Sequence, residues 1–347
     1  MSELSDPPGL DLGRLHSYLN GSAPGLASGP LRAELFAGGR SNLTYAVSDG
    51  ASTWVLRRPP LGHVLPTAHD MTREHRVLDA LSRNGFPAPR PLLLCTDPDV
   101  IGAPFYLMQH VEGSILRDAQ ELERLGADGM RALTLSLVET LADLHALVPA
   151  EIGLAGFGHP EGFNGRQVHR WKKQLDSSHS RDVPGIAELY DRLAAQVPDG
   201  PPGTVVHGDY RLDNVLVGPV GDTPGPPVRA VLDWEMSTLG DPLSDLALMI
   251  VYARQPLLSS TTGPRAPLSV PGHPGIDELA AHYALRSGRD VGDLHWYVGF
   301  AAFKLAVILE GVHYRYVKGQ TVGRGFDTVG AMVPMLVAQG HEALEVG

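Results

Sequence analysis

The chain has 347 residues, of which 43% are hydrophobic, which suits a globular protein with a sizeable core in one large or two coupled domains. Its formal charge of −11 argues against non-specific nucleic-acid binding, because contacts with phosphates need clustered lysines and arginines. Cys95 is the only cysteine, which excludes an internal disulfide and a zinc site built from cysteines, and it predicts a reducing compartment.

The first part of the chain has the pattern of a small sheet. Residues 1–29 are a lead-in whose sequence MSELSDPPGLDLGRL is acidic and interrupted by prolines, unlike a signal peptide. The runs LTYAV and TWVLR flank the turn SDGA, which is typical of a β-hairpin. DMTREHRVLDALSRNG has helical spacing and ends at Gly85, and PRPLLLCTD and APFYLMQHVEG follow as predicted strands. Residues 30–112 are therefore predicted to form a mainly antiparallel sheet with one helix.

Residues 114–347 are mainly helical in pattern. MRALTLSLVETLADLHAL and PLSDLALMIVYA have apolar stripes at helical spacing, and VRAVLDWEMS lies between them as a strand that ends in acids. The longest apolar stretch, YVGFAAFKLAVILEGVHY, contains Lys304 and Glu310, so we expect a buried helix there rather than a bilayer span, which needs about 20 apolar residues. This order predicts an α+β fold with a small β-rich part followed by a larger helical part. The acidic composition, the single cysteine and the lack of a signal-peptide pattern or a bilayer span predict a soluble, cytoplasmic protein without a membrane or nucleic-acid partner.

The segment VVHGDYRLDNVLV, residues 205–217, places polar side chains on a short loop between two apolar runs. Asp209 and Asn214 are five residues apart in it, and Asp233 follows at the end of the next apolar strand. Phosphoryl transfer needs a carboxylate to orient the attacking hydroxyl, together with oxygen ligands for Mg²⁺ on the nucleotide phosphates. These three side chains supply both. The alternative is that aspartate and asparagine are simply good turn formers.

The motif HGDYRLDN followed by VLDWE resembles the catalytic loop and metal-binding aspartate of the aminoglycoside phosphotransferase and choline kinase families, which have a bilobal protein-kinase-like fold. The resemblance covers most of the chain. It implies that Asp209 is the catalytic base in the loop 207–214, that Asn214 and Asp233 are magnesium ligands, and that His207 braces the loop. The implied cofactors are ATP, with GTP as the alternative, and Mg²⁺.

Three other polar residues near this motif are expected to be structural. Asp245, in GDPLSDLALM, is expected to anchor the catalytic loop from a helix, and Asp241 to cap or brace. His145, on the apolar helix LADLHAL, is expected to be a satisfied core histidine.

In the small lobe, the resemblance assigns an ion pair to the nucleotide phosphates. Kinases pair a strand lysine with a helix glutamate, and these positions fall on Arg57 in WVLRRPP and Glu74 in REHRVL. Strand alternation favours Arg57 over Arg58, and arginine neutralises phosphates as lysine does. A surface ion pair without such a role is the other interpretation.

The turn AGGRSNLTY would cover the phosphates, because glycine lets the backbone approach anionic oxygens. The residues concerned are Gly38, Gly39, Ser41 and Asn42. A plain hairpin turn is the alternative.

The segment YLMQHVEG fits a hinge between two lobes at about residues 108–113. Met108 would line the adenine pocket, while Gln109 and Val111 would hydrogen-bond the base through their backbone. An edge strand that ends at Gly113 is the alternative.

Longer segments, among them VLRRPPLGHVLPTAHDMTREHRVL and LDWEMSTLGDPLSDLA, resemble the branch that includes kinase-like domains associated with acyl-CoA dehydrogenases. This resemblance implies ATP-dependent phosphorylation of a small-molecule hydroxyl, with a hydroxyacyl-CoA as the expected acceptor and an acyl-CoA dehydrogenase as a partner in the pathway. An aminoglycoside, a choline-like amine or another polar alcohol is the alternative acceptor. A catalytically silent nucleotide-binding module is the alternative from another class, although the complete set of acids and Asn214 argues against it.

A CoA thioester is anionic and should meet arginine and lysine near the acceptor site. The segments GRQVHRWKKQLDSS and FKLAVILEGVHYRYVKG offer Arg166, Arg170, Trp171, Lys172, Lys173, Lys304, Arg315 and Lys318. Since amphipathic helices expose such residues routinely, ordinary surface exposure is the other interpretation.

Overall fold

The computed structural model describes residues 6–36, 42–62, 69–178, 180–219, 227–255, 266–320 and 326–346. The chain divides into two compact units. Unit 1 consists of Met1–Ser114, Val215–Gly218 and Arg229–Glu235. Unit 2 consists of Ile115–Asn214, Pro219–Val228 and Met236–Gly347.

Within the described residues the strands, numbered in chain order, are β1 Arg32–Leu35, β2 Leu43–Ser48, β3 Thr53–Arg58, β4 Pro91–Cys95, β5 Phe105–Gln109, β6 Thr204–Val206, β7 Val215–Val217, β8 Val228–Val231 and β9 Thr238–Gly240. The helices are α1 Leu12–Ser22, α2 Met71–Arg83, α3 Ala119–Glu123, α4 Gly126–Ala146, α5 Phe163–Ser178, α6 Ile186–Ala195, α7 Leu243–Ala253, α8 Ile276–Ser287, α9 Leu294–Val317 and α10 Val329–Ala343. Short 3-10 turns follow β6, β8 and the end of α7 in sequence, at Leu212–Asn214, Trp234–Met236 and Pro267–Ser269.

Unit 1 contains a five-stranded antiparallel sheet in the order β1-β2-β3-β5-β4. The predicted hairpin of β2 and β3 is confirmed, and so are the predicted strands β4 and β5. In this register Arg57 on β3 stands opposite Thr44 on β2 and Tyr106 on β5. Arg57 thus lies on a central strand, whose pairing with β2 and β5 fixes the position of its backbone.

The predicted helix of unit 1 is α2, which begins after Asp70. The Asp70 side chain accepts a hydrogen bond from the backbone N–H of Arg73, so it caps the helix. Glu74 lies in the first turn, a position where the helix dipole favours a carboxylate. The same unit carries α1, which sequence reasoning missed inside the lead-in.

Helix α1 packs into the hydrophobic core of unit 1 through Leu15 and Leu19, which are fully buried beside Tyr45 on β2. The chain before α1 is also tied to the sheet. Arg58 is buried and donates hydrogen bonds to the backbone carbonyls of Gly9 and Ile101, the latter at 3.0 Å. Arg58 therefore has a structural task and points to the opposite side of β3 from Arg57, as strand alternation requires.

Strands β7 and β8 pair with each other, and most of this pair belongs to unit 1. A bridge between Ser114 and Val217 ties β7 to the end of the N-terminal segment. The Val231 amide at the end of β8 donates to the carbonyl of Pro87 at 2.8 Å. This hydrogen bond attaches the end of β8 to the rest of unit 1. Leu232 and Asp233 follow directly after it in the chain.

Unit 2 is built on helices, with α9 packed against α5, α7 and α10. Among the described residues α9 alone is long and apolar enough to cross a membrane by length and composition, but 72% of its most apolar stretch is buried inside the protein. This burial agrees with the expected core helix. A small antiparallel pair, β6 with β9, fixes the start of the loop 207–214.

Candidate active site

The backbone of the loop 207–214 is held by Asp245 on α7. The Asp245 side chain is 1% exposed, and its two oxygens accept the backbone N–H groups of His207 at 2.6 Å and Gly208 at 2.8 Å. Burial alone would raise the pKa of Asp245, but its contacts with His145, His207 and the Gly208 amide outweigh burial and lower it. The expected anchor role of Asp245 is confirmed.

The other residues expected to be structural also have that role. His145 is buried, and its Nδ1 lies 2.7 Å from the hydroxyl of Tyr283, so it is a satisfied core histidine. Burial lowers the pKa of His145, and Asp245 opposes that shift. Asp241 braces the start of α7 by accepting the Leu243 amide at 3.0 Å, and it also accepts the side-chain amide of Asn164 at 2.9 Å.

Gly208 stands where protein kinases carry arginine, and the backbone explains the glycine. Its φ is +83°, and an added Cβ would lie 2.6 Å from the Met236 carbonyl oxygen. The next residue is braced by His207, whose Nδ1 accepts the backbone N–H of Asp209 at 3.2 Å. This hydrogen bond confirms the predicted bracing by His207.

The Asp209 carboxylate is oriented from two sides. Tyr252 on α7 donates its hydroxyl proton to Oδ1 at 2.8 Å, and Asn214 donates from Nδ2 to Oδ2 at 3.0 Å. Asn214 also donates to the Asp209 backbone carbonyl at 2.9 Å. Sequence reasoning missed Tyr252, because a tyrosine near the end of an apolar helix 43 residues away carries no local signal.

Two cations lie close to this loop in unit 2. Lys304 on α9 donates from Nζ to the Gly208 carbonyl at 3.0 Å. Arg211 forms an ion pair with Asp213, and its guanidinium carbon lies 4.7 Å from the centroid of the Tyr252 ring. The charge of Asp209 is felt by both cations, since it favours the charged forms of Lys304 and Arg211.

Unit 1 contains a second set of polar residues, centred on Arg57. Its Nε lies 2.8 Å from Oε2 of Glu74, and its Nη2 lies 2.5 Å from Oδ1 of Asp233 and 3.4 Å from Oε2 of Glu235. Burial alone would lower the pKa of Arg57, but Tyr106 and the three carboxylates raise it above its ordinary value. The structure thus brings together the predicted Arg57, Glu74 and Asp233, with Arg57 rather than Arg58 in the pair.

Glu74 is 2% exposed and is satisfied by neutral donors as well as by Arg57. Asn42 donates to its Oε1 at 3.0 Å, and the Tyr106 hydroxyl donates to its Oε2 at 2.9 Å. Burial raises the pKa of Glu74, and the opposite effects of Arg57 and Tyr106 do not cancel this rise. Asn42 also donates to Oε2 of Glu235 at 3.0 Å, so one side-chain amide joins two carboxylates.

Asp233 has an unusual backbone. Its φ is 64°, and among the described residues it is the only one other than glycine in the left-handed region. A non-glycine residue there costs about 1 kcal/mol, which strained functional positions often tolerate. Glu235, two residues further on, was missed by sequence reasoning although it stands in the same segment LDWE.

The other predicted nucleotide residues are placed as follows. Gly38, Gly39 and Ser41 lie outside the described residues. Met108 is buried on β5, opposite Val55 and Pro91. Gln109 ends β5 and its amide donates to the Arg90 carbonyl at 2.8 Å, and Val111 is partly buried beyond the strand. Their assigned contacts with a base remain predictions.

The donors predicted for magnesium suit the ion by their chemistry. Asn214 and Asp233 offer an amide oxygen and carboxylate oxygens, the hard ligands that Mg²⁺ prefers, and this ion usually keeps several waters and takes the rest of its ligands from phosphates. Among the described residues, no group of three or more histidines, cysteines, aspartates and glutamates is arranged to hold a metal by itself.

Solved structures that superpose on this chain show that it has a kinase-like α+β fold, as predicted. The crystal structure of a Ralstonia eutropha protein, provisionally assigned as an aminoglycoside phosphotransferase, is 30% identical, covers 97% of this chain and 98% of its own, and superposes with a TM-score of 0.79. A thermostable mutant of aminoglycoside phosphotransferase APH(4)-Ia, solved with AMP-PNP and hygromycin B, is 15% identical, covers 95% of this chain and 98% of its own, and has a TM-score of 0.60.

The sequence model of the phosphotransferase enzyme family, APH, matches residues 32–275, so the chain belongs to this family. Two relatives are acyl-CoA dehydrogenase family member 11 of Gallus gallus, 37% identical over 98% of this chain, and the protein of the same name of Homo sapiens, 36% identical over 88%. The chain spans 44% and 39% of their lengths, which is less than half of the curated relatives it matches. The predicted resemblance to the family and to the branch named for acyl-CoA dehydrogenases is confirmed.

Proposed function

We propose that the protein transfers the γ-phosphoryl group of ATP to a hydroxyl of a small molecule. The observation that carries this proposal is the Asp209 carboxylate, held by Tyr252 and Asn214 on a loop whose backbone is fixed by Asp245. Such a fixed carboxylate is what an in-line attack by a hydroxyl requires, because phosphoryl transfer depends on positioning more than on covalent chemistry. Membership of a phosphotransferase family supports it.

In the proposed reaction the acceptor hydroxyl oxygen attacks the γ-phosphorus while the bond from that phosphorus to the β,γ-bridging oxygen breaks. ADP leaves with the electron pair of that bond, and the hydroxyl proton passes to the Asp209 carboxylate. The Tyr252 hydroxyl donates to Oδ1 and the Asn214 amide donates to Oδ2, and each of these oxygens keeps a lone pair that can take the proton.

For the nucleotide, we propose that Arg57 neutralises phosphate oxygens and that Glu74, behind it, keeps the guanidinium in place. Solved relatives of this fold contain AMP-PNP, ADP or GDP, which supports nucleotide binding, and ATP is the proposed donor with GTP as the alternative. Asn214 and Asp233 would hold Mg²⁺, which when bound neutralises charge on the transferred phosphoryl group. The hinge residues Met108, Gln109 and Val111 would contact the base.

The proposed acceptor is a hydroxyacyl-CoA, which places the protein in acyl-CoA catabolism beside an acyl-CoA dehydrogenase. This choice is supported by the names of the relatives, which are acyl-CoA dehydrogenase family members rather than kinases. The proposed location is the cytoplasm, in keeping with the single, buried, free cysteine. The second candidate acceptor is an aminoglycoside, because APH(4)-Ia of the same fold was solved with hygromycin B.

The test is ATP consumption with a panel of hydroxyacyl-CoAs, amines and aminoglycosides. We expect a hydroxyacyl-CoA to stimulate it, and Asp209→Asn to lower kcat by about 100-fold or more with the nucleotide affinity close to that of the wild type. Asp213→Asn, in the same loop, is a matched control that removes a carboxylate paired with Arg211. If no compound on the panel is phosphorylated and Asp209→Asn changes no rate, the chain is a silent nucleotide-binding module.

A further inference from the structure

Trp171 on α5 carries a buried hydrogen-bond donor, its indole N–H. The residue is 8% exposed, and among the described residues nothing accepts a hydrogen bond from its indole Nε1. Buried tryptophan N–H groups usually have a partner, because leaving a buried donor unsatisfied costs about 1–3 kcal/mol. An acceptor supplied by a ligand would remove this cost.

Two positive charges meet at the same indole. The Lys304 ammonium lies 5.7 Å from the Trp171 ring centroid, and the Arg170 guanidinium carbon lies 5.7 Å from it as well. Like charges that share one aromatic ring repel each other, and burial together with Arg170 lowers the pKa of Lys304. Among the described residues neither cation has a carboxylate within ion-pair distance, unlike Lys172 on the same helix, which pairs with Asp176 at 2.6 Å.

This group of donors adjoins the loop that carries the proposed base. Lys304 donates to the carbonyl of Gly208, the residue before Asp209, at 3.0 Å. The charges of Asp209 and Asp245 favour the ammonium form of Lys304 and oppose its desolvation. Among the described residues no ion pair joins Asp245 to Lys304, and the Asp245 oxygens accept the two backbone amides of the loop instead.

We propose that Trp171, Lys304 and Arg170 form an anion-recognition site beside Asp209, and that the phosphate acceptor therefore carries a carboxylate or a phosphate in addition to its hydroxyl. One indole N–H, one ammonium and one guanidinium are donors suited to anionic oxygens, and charge-assisted hydrogen bonds of this kind are about twice as strong as neutral ones. This inference rests on the proposed function and narrows its substrate class.

Two sources could provide the anion, and a set of acceptors with one hydroxyl in common separates them. 3-Hydroxybutanoate carries a carboxylate, 3-hydroxybutyryl-CoA carries only the phosphates of CoA, and the N-acetylcysteamine thioester of 3-hydroxybutanoate carries neither. The variants are Trp171→Phe, which removes the N–H and keeps an aromatic ring, Arg170→Gln and Lys304→Met. Lys172→Met is the matched control on the same helix.

The measured quantity is the ratio of kcat/KM for each anionic acceptor to that for the neutral thioester. We expect this ratio to fall by about 10-fold in Trp171→Phe and by about 10-fold to 100-fold in Arg170→Gln and Lys304→Met, and to stay unchanged in the control. A fall confined to the free acid identifies the carboxylate as the recognised group, and a fall confined to the CoA thioester identifies a phosphate. Arg170 is exposed, so Arg170→Gln tests the site without a risk to folding.

The inference is overturned if the ratios do not change, or if Lys304→Met alone lowers the rates with all three acceptors equally, since that would make Lys304 only a support of the loop. Calorimetric binding of 3-hydroxybutyryl-CoA to the wild type and to Trp171→Phe separates this inference from the proposed function. If the wild type phosphorylates nothing, the proposed function fails. Weaker binding by the variant would still support the anion site, and equal binding would overturn it.

Discussion

Replacement of Asp245 by asparagine tests whether one buried carboxylate keeps the loop of Asp209 in place. Each oxygen of Asp245 accepts one backbone amide, from His207 at 2.6 Å and from Gly208 at 2.8 Å. Asparagine has the same shape but offers one oxygen and one NH₂ group. One amide would keep a neutral acceptor, while the other would face a second donor.

The size of the effect follows from these two bonds. Hydrogen bonds to charged groups contribute about 1.5–3 kcal/mol each, and the substitution removes one and makes the other neutral. We expect the free energy of unfolding of unit 2 to fall by about 2–4 kcal/mol, and the melting temperature to fall by roughly 4–16 °C. Because the Gly208 peptide directly precedes Asp209, kcat should also fall, by about 10-fold or more, through misplacement of the proposed base.

The effect should depend on pH in one direction. The folded-state pKa of Asp245 is lowered below its unfolded value of about 3.9, so its stabilising contribution is complete above that value and is lost as the pH falls through the folded pKa. The part of the stability difference that comes from ionisation of Asp245 should therefore be complete above about pH 5 and should shrink below about pH 4.

The assay is thermal unfolding by calorimetry across this pH range, together with turnover at neutral pH. The matched control is Asp143→Asn, whose side chain is half exposed and pairs with Arg286 on the surface, and it should change stability by about 0.5 kcal/mol or less. An Asp245→Asn protein that melts and turns over like the wild type would show that the two amides do not depend on the carboxylate.

Three further substitutions probe the two sets of residues. Arg57→Lys should raise the KM for ATP by about 3–10-fold in steady-state kinetics, because one ammonium cannot contact all of the carboxylates around the guanidinium, and an unchanged KM would mean that charge alone matters. Arg58→Met should lower the free energy of unfolding by about 2–4 kcal/mol, because two buried carbonyls lose their donor, and should therefore lower the melting temperature without altering the KM for ATP. Arg83→Met, on the surface of α2, should change neither quantity. Tyr252→Phe should lower kcat by about 10-fold and leave the acceptor KM unchanged, while Tyr283→Phe, whose hydroxyl contacts His145, should affect stability instead, and equal kinetic losses in the two would contradict a positioning role.

The parts of the site that could be predicted from sequence depend on short-range patterns. Strand alternation separates Arg57 from Arg58, and the structure places them on opposite sides of β3, one with Glu74 and one with backbone carbonyls. The spacing between Asp209 and Asn214 brings their side chains to 3.0 Å within one loop. The first contact joins a strand to the next helix in the chain, and the second lies within one loop, so both join residues that are close in sequence.

The residues that could not be predicted meet through tertiary packing. Tyr252 reaches Asp209 from an apolar helix, and the bond from Asn42 to Glu235 joins residues 193 positions apart. Neither residue type is unusual for its segment, so the sequence carries no signal. Helix α1 was not predicted for a different reason. It is a short amphipathic helix, and the prolines and glycines on both sides of it are typical of a loop.

The two units use the same arrangement to fix a polar group. Glu74 behind Arg57 and Asp245 behind the loop of Asp209 are 2% and 1% exposed, and hydrogen bonds from several donors satisfy each of them. A buried ion pair is weak evidence for stability, because desolvation offsets much of the attraction, whereas a fully satisfied buried carboxylate restricts its partners to one geometry. We therefore interpret both carboxylates as elements that position the reacting groups.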